Sequence, residues 1–333
     1  MKFLTAATSL FFLTHNSEVH ATNNLRVRQG APPEGAVILE VTLNDPPVSL
    51  KDSRSSNNTA PFKDITVHIY KESAAQHEED NGKGFNPNTL PLRTRPLKAS
   101  GGESSTRDVF GSDDRFVFQD TSFPYSTVGK VQYETSSGRF SCTGTMVGRN
   151  LMLTANHCVT TGIRWMKFTP SYYDGSEPYG SAYATSYFRY FAYEGTDTIS
   201  DFGSAFDYAL VVLDRNIGDD VGYMGYTTYN SQWNGGDYWD HIGYPSDIAT
   251  GQRPVFVNDD AIQEIVTYPS DDQIGYSMRT FLDAWKGQSG GPLYGSFNGD
   301  FKIVGVVSAG NSQYNKFGGG PALENLIEWA GRQ

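Results

Sequence analysis

The stretch GQSGGP at residues 287–292, near the end of this 333-residue chain, places one serine among small residues. A serine hydroxyl is a weak nucleophile at neutral pH unless a neighbouring base takes its proton. Glycines on both sides allow a tight turn that directs amide N–H groups at a developing oxyanion. Ser289 is therefore a candidate nucleophile. The same letters also fit the Gly-x-Ser-x-Gly turn of α/β-hydrolases, or an ordinary glycine-rich turn.

The order of the chemical groups along the chain separates these folds. An α/β-hydrolase carries its catalytic histidine after the serine, but all six histidines here (15, 20, 68, 77, 157 and 241) precede Ser289. An active α/β-hydrolase is thereby excluded, and a His…Asp…Ser order remains. His241, within the string WDHIG, is interpreted as structural or partly exposed.

Two further strings contain the partners that Ser289 needs. LMLTANHC at residues 151–158 predicts an apolar strand followed by His157, the candidate general base, although a core histidine in a stapled hairpin is an alternative. DYALVVL predicts a strand that begins with Asp207. A buried carboxylate is costly without a partner, and an imidazole N–H is such a partner. Asp207 is therefore preferred as the orienting carboxylate over two competing acids in polar loops or turns, Asp201 and Asp214.

The chain contains two cysteines, Cys142 and Cys158, and the second adjoins His157. In an oxidising compartment the two would pair with each other. The closed loop is short, so the disulfide is expected to stabilise the fold by about 3 kcal/mol while it fixes the histidine loop. Two free thiols, or half of a metal site, are the alternatives.

From about residue 108 onward, short apolar runs recur with turn residues between them, which is typical of an all-β barrel or sandwich. The Asn298-Gly299 pair between two such runs predicts a hairpin. A run opened by Pro321, with apolar residues on one face, predicts a short C-terminal helix. The predicted strands are 127–133, 142–147, 151–154, 208–213, 262–268, 291–294 and 302–307.

Together, the strings TANHC, DYAL and GQSGGP resemble the chymotrypsin-like serine proteases. VFGSDDR from residue 109, SCTG from 141, VGYMGY from 221 and GYP from 243 are similar to the glutamyl endopeptidase branch of that family. The resemblance covers residues 108–333. It implies two perpendicular six-stranded antiparallel β-barrels with the catalytic triad between them. It also implies a peptide-bond hydrolase that forms an acyl-enzyme on Ser289, with an oxyanion hole made by the backbone N–H groups of Gly287 and Ser289.

The resemblance leaves the side-chain preference of the enzyme open. The residues at the positions that help glutamyl endopeptidases hold a substrate carboxylate are Ala284 and Val307, which can neither donate a hydrogen bond nor carry charge. Asp283 occupies the position at which trypsin-like enzymes carry an acid for Arg or Lys, or it is a structural acid bonded to nearby backbone. Basic, glutamate and apolar or broad preferences all remain, and the predicted pocket comprises Asp283, Ala284, Val307 and Ser308.

The first 107 residues differ in texture from the rest of the chain. Residues 1–21 have a basic start, a short apolar stretch and small residues at the end, so they predict a secretory signal peptide. Residues 22–107, with Pro-Pro pairs and polar runs, predict a partly ordered pro-segment containing strands at 37–43 and 65–70. We expect processing between Arg107 and Asp108, which leaves residues 108–333 as the protease domain.

Composition restricts the partners of the protein. Residues 108–333 carry 26 acidic and 14 basic side chains, so this part repels nucleic acid and anionic membranes. No phosphate-binding loop, calcium loop or zinc spacing is present in the sequence. The expected product is a secreted monomer without cofactor or metal. Its expected partners are protein or peptide substrates and its own pro-segment. The alternative is a catalytically silent homologue that acts as an extracellular binding module.

Overall fold

The computed structural model describes residues 40–43, 65–69, 109–190, 199–270 and 273–333. Short strands separated by turns dominate it, as the recurring apolar runs predict. In chain order the strands are β1 (Glu40–Leu43), β2 (Ile65–Ile69), β3 (Phe116–Val117), β4 (Val128–Thr135), β5 (Gly138–Met146), β6 (Leu151–Thr154), β7 (Trp165–Pro170), β8 (Ala182–Arg189), β9 (Ala209–Leu213), β10 (Gly225–Tyr226), β11 (Trp239–Gly243), β12 (Val255–Asp260), β13 (Ile262–Ser270), β14 (Gln273–Thr280), β15 (Pro292–Phe297), β16 (Asp300–Gly310) and β17 (Asn315–Gly319). The α-helices of the described part are α1 (Asp201–Ala205), α2 (Gly218–Val221) and α3 (Pro321–Ala330).

The first sheet closes into a six-stranded barrel. Its strands follow the order β7-β4-β5-β6-β9-β8, and β8 pairs with both β9 and β7, which completes the ring. Apolar residues from the strands fill the interior, including Val131, Phe168 and Val211, each fully buried. The predicted all-β class and the first of the two barrels are thus confirmed.

The second sheet contains nine strands, whereas the sequence predicts six. Its order is β13-β14-β17-β16-β15-β11-β12-β3, with β10 beside β16. The two-residue strands β3 and β10 are additions at its margins. Ala261 alone separates β12 from β13. The chain therefore passes in one bend from β12, next to one end of the strand order, to β13 at the other end. Six long strands result when β12 and β13 are taken as one bent strand.

Two local predictions in this half of the chain are confirmed. Asn298 and Gly299 both have positive φ angles, 56° and 94°, and join β15 to β16 as a tight hairpin. These angles match the left-handed turn that suits the twist of paired strands. The C-terminal helix α3 begins with Pro321 in its first turn and buries Leu326 and Ile327 against a core cluster that includes residues of both sheets.

Part of the predicted pro-segment pairs with the first barrel. The structure has strands β1 and β2 where 37–43 and 65–70 are predicted, and the two pair antiparallel. β2 also runs parallel to β8, with Thr66 opposite Ser186. The predicted signal peptide, the rest of residues 22–107 and the predicted cleavage point lie outside the described residues. In the described part of the chain, no helix combines the length and apolar character needed to cross a bilayer.

Candidate active site

His157 and Asp207 meet because the strands that carry them are neighbours. His157 lies in a 3-10 turn directly after β6, and Asp207 lies two residues before β9. β6 and β9 pair antiparallel with Thr154 opposite Ala209, so the end of one strand lies beside the start of the other. The His157 Nδ1 atom is 2.7 Å from Asp207 Oδ2. The structure therefore brings together two of the three residues predicted for the triad.

The Asp207 carboxylate is buried, and hydrogen-bond donors surround it. Oδ1 accepts the backbone N–H of His157 at 2.8 Å, and Oδ2 accepts the Ser308 hydroxyl at 2.6 Å as well as the ring nitrogen. An ionised carboxylate accepts only, so the proton of a neutral His157 ring is on Nδ1 and the lone pair that can act as a base is on Nε2. Burial disfavours the charged ring, but the Asp207 carboxylate outweighs it and raises the pKa of His157.

Thr143, on β5 of the first barrel, holds the loop that contains Ser289 against that barrel. The Thr143 N–H donates to the Ser289 carbonyl at 2.8 Å, and the Thr143 hydroxyl donates to the Gly287 carbonyl at 2.9 Å. Gly290, with φ +80°, packs so closely on the end of β6 that a Cβ there would lie 2.5 Å from the backbone nitrogen of Ala155. These contacts place the loop of the candidate nucleophile next to the turn that contains His157.

The same loop has two amides available for an anion. The carbonyls of Gly287 and Ser289 are directed to Thr143, and neither of their N–H groups donates to an acceptor within the part of the chain that the structure describes. Gly287 has φ +101°, and a Cβ there would lie 2.4 Å from the Tyr244 carbonyl oxygen, so only glycine fits. Paired free amides beside a half-buried serine suit the oxyanion of an acyl-transfer reaction.

The disulfide is formed as predicted between Cys142 and Cys158. It joins Cys142 on β5, the residue before Thr143, to the turn of His157. Within the described residues, one group of side chains has donor atoms close enough for a metal ion: Cys142, His157 and Cys158, within 4.8 Å of one another. Both sulfurs are used in the disulfide, so the group offers no thiolate, and the half metal site considered for these cysteines does not fit the structure.

The four residues predicted for the specificity pocket are all buried, and they have different surroundings. Ala284 and Val307 belong to the apolar cluster inside the second sheet. Ser308 donates to the triad carboxylate. The Asp283 carboxylate accepts the backbone N–H of Phe110 at 2.6 Å and that of Asp114 at 3.3 Å. This geometry favours the interpretation of Asp283 as a structural acid over that of a free charge for a basic substrate side chain.

Sequence reasoning missed the contribution of two side chains. Thr143, which binds both carbonyls of the serine loop, lies in the SCTG string that was used for the family resemblance without a role for the threonine. Arg115 lies in the VFGSDDR string and reaches Gln288, the residue before the candidate nucleophile. An arginine next to two acids, Asp113 and Asp114, indicates a local ion pair. No pattern in the sequence shows which distant residue Arg115 would contact.

Comparison with known proteins gives the same family. The family model described as Trypsin matches residues 116–329. The glutamyl endopeptidase of Bacillus licheniformis is 30% identical over 226 residues, which are 64% of this chain and 65% of that protein. The extracellular metalloprotease of Bacillus subtilis is 28% identical over 290 residues, or 84% of this chain and 88% of that protein. The chain thus spans just under two thirds of the first relative and most of the second.

A solved structure supports the fold. A Glu endopeptidase in complex with MPD superposes with a TM-score of 0.54 at 24% identity, covering 68% of this chain and 100% of that one. The superposition, the matched family region and the paired His157 and Asp207 agree with the expected chymotrypsin-like architecture. The chain belongs to the trypsin family, has the chymotrypsin-like fold, and is similar to glutamyl endopeptidases within that family.

Proposed function

We propose that the protein is a secreted serine endopeptidase in which Ser289 attacks the peptide carbonyl, His157 takes its proton and Asp207 orients the imidazole. The observation that carries the proposal is the 2.7 Å contact between His157 Nδ1 and Asp207 Oδ2. That contact leaves Nε2 as the base on the ring of a histidine whose turn adjoins the serine loop.

The reaction follows from these roles. His157 removes the hydroxyl proton as Ser289 forms a bond to the substrate carbonyl carbon, and the carbonyl oxygen becomes negative. The N–H groups of Gly287 and Ser289 stabilise that oxyanion. The imidazolium then gives its proton to the leaving amine, and the acyl-enzyme remains. A water molecule, deprotonated by the same ring, hydrolyses the ester and releases Ser289.

Active-site labelling distinguishes the enzyme from a silent binding module. A fluorophosphonate probe is expected to label the processed wild-type protein at Ser289 and to leave the Ser289→Ala variant unlabelled. A His157→Ala variant, which retains the hydroxyl but lacks the base, should label at least about a thousandfold more slowly. Equal labelling of wild type and Ser289→Ala would show that another residue reacts. Absence of labelling in all three would favour the binding module.

We propose synthesis as a precursor that is cut between Arg107 and Asp108. The name of the similar Bacillus subtilis protein includes the word "extracellular", and its match covers 84% of this chain. Residues 108–333 are a smaller share than that, so the similarity includes part of residues 1–107. N-terminal sequencing of the secreted protein should give Asp108 as the first residue. A start well away from 108 rejects this cleavage point.

The pairing of β2 with β8 supports docking of the pro-segment on the first barrel. Residues in register on adjacent strands are about 5 Å apart, within reach of a disulfide. A Thr66→Cys, Ser186→Cys protein should therefore retain its cleaved pro-segment on a non-reducing gel. The control carries Thr66→Cys alone, so its pro-segment has no introduced thiol on β8 to pair with. Equal linkage in both proteins, or in neither, contradicts this docking.

We propose an apolar or broad preference for the residue before the cleaved bond. Asp283 is engaged by backbone amides, while Ala284 and Val307 belong to an apolar cluster. A peptide library cleaved by the processed protein tests this directly. Selection for Arg or Lys that disappears in an Asp283→Asn variant would restore the basic preference, and selection for Glu would give this chain the preference that the name of its Bacillus licheniformis relative states.

A further inference from the structure

Residues 109–115, the start of the expected mature enzyme, lie against the loop that contains Ser289. Contacts at both ends of this segment reach that loop or the residues just before it. The Asp283 carboxylate accepts the N–H of Phe110 at 2.6 Å. The Arg115 guanidinium donates to the side-chain oxygen of Gln288 at 3.4 Å, across 173 residues of chain. The segment therefore contacts the polypeptide on both sides of the oxyanion amide of Gly287.

Arg115 is held in place by two acids. Its side chain is 0% exposed, and its Nη2 atom lies 2.8 Å from Asp113 Oδ2 and 2.7 Å from Asp247 Oδ2. Burial disfavours the charge, but these carboxylates outweigh it and raise the pKa of Arg115. A buried guanidinium with two carboxylates is a rigid donor, because breaking any one pair leaves an uncompensated charge away from water. Arg115 is thus a fixed point beside the serine loop.

Gln288 transmits that position to the loop. Its side chain is fully buried and packs on Gly243, where a Cβ would lie 2.7 Å from Gln288 Cγ. Its Oε1 atom accepts the Trp285 N–H at 2.8 Å as well as the bond from Arg115. If the side-chain amide of Gln288 were rotated by 180°, its NH₂ group would face two donors. Arg115 and Trp285 together therefore select the orientation with Oε1 towards them. These bonds fix the Gln288 side chain across the turn from 285 to 288. Gln288 itself lies between Gly287 and Ser289, the two residues whose N–H groups are proposed to bind the oxyanion.

We propose that Arg115 is a positioning residue for catalysis: acting through Gln288, it keeps the turn that carries Gly287 and Ser289 in the geometry that the oxyanion requires. This inference rests on the proposed serine endopeptidase function. Because the oxyanion exists in the transition state and not in the bound substrate, the loss of Arg115 lowers kcat and leaves KM nearly unchanged. A purely structural role would lower stability and the amount of folded enzyme without this split.

The test is a double-mutant cycle on the processed enzyme. Arg115→Lys keeps the charge but lacks the planar fork, and Gln288→Met keeps the size but lacks the acceptor. Each change is expected to lower kcat by about 10- to 100-fold with KM within about threefold of wild type, and the double variant is expected to be no slower than the worse single variant. Active-site titration with fluorophosphonate corrects for any unfolded fraction.

Arg253→Ala is the matched control, because Arg253 forms a partly exposed surface pair with Asp174, and its replacement should leave kcat unchanged. Wild-type kcat in Arg115→Lys and Gln288→Met, or multiplicative losses in the double variant, would overturn the positioning role. A Ser289→Ala protein that still hydrolyses peptides would instead refute the proposed function, so the two failures are distinguishable.

Discussion

His241 makes the stability of the fold depend on acid in a way that can be calculated. The ring lies on β11 with no exposed surface, so the expectation of partial exposure is wrong and the structural one is confirmed. Its Nδ1 donates to the Pro292 carbonyl at 2.9 Å, while Nε2 has no hydrogen-bond partner among the described residues. Burial lowers the pKa of His241 to about 4 from the ordinary 6.5. The folded protein therefore keeps this ring neutral where the unfolded chain protonates it.

The magnitude follows from proton linkage. The unfolded state binds a proton at this ring below about pH 6.5, and the folded state does so only near pH 4, so the contribution to stability is complete above pH 6.5 and is lost as the pH falls to 4. A shift of about 2.5 pH units corresponds to roughly 3.4 kcal/mol, of which about 2.5 kcal/mol is lost by pH 4.5. For a domain of this size that loss lowers the Tm by roughly 5–10 °C.

The assay compares two proteins at two pH values, both on a Ser289→Ala background to prevent self-digestion. A His241→Asn variant preserves a donor for the Pro292 carbonyl but does not titrate. Between pH 7 and pH 4.5, denaturant unfolding should show that the free energy of unfolding falls by about 2.5 kcal/mol more in the parent than in the variant. Carboxylates contribute equally to both proteins. The same pH dependence in both would refute the argument from burial.

Three further outcomes test the site. Asp207→Asn should lower kcat by about 10⁴-fold in steady-state kinetics, because the imidazole loses the acceptor that fixes its tautomer. Ser308→Ala removes a donor from Asp207, so the carboxylate should hold the His157 proton more strongly and shift the acidic limb of the kcat/KM profile to higher pH. Replacing both Cys142 and Cys158 with Ala should lower the free energy of unfolding by about 3 kcal/mol in urea titrations.

The parts of the fold that could be predicted from sequence are those with local causes. Asn298-Gly299 specifies a hairpin because its two positive φ angles suit few other residues. Pro321 suits the first turn of a helix because its missing N–H has no acceptor there. The strands of the second sheet could not be counted from the sequence, because Ala261 alone separates β12 from β13. The division becomes visible only through pairing, since β12 pairs with β11 and β13 pairs with β14.

The candidate catalytic residues were recognisable for a different reason: their chemistry restricts both residue type and neighbours. Histidine is the most frequent general base, and a buried carboxylate beside it fixes its tautomer. His157 and Asp207 could therefore be selected over other candidates. Thr143 escaped notice because a backbone donor and a hydroxyl, which are all that its contacts require, occur at many positions.

Asp283 shows why the substrate pocket cannot be inferred in the same way. An acid at this position can attract a basic side chain or bind the protein's own backbone, and the two uses require the same residue type. The N–H groups of Phe110 and Asp114 favour the second use, and they belong to a segment about 170 residues earlier in the chain. Burial and the neighbouring Asp114 raise the Asp283 pKa to about 6, against the effect of the Phe110 N–H. The packing of residues 109–115 against Asp283 therefore bears on whether this carboxylate can face a substrate side chain.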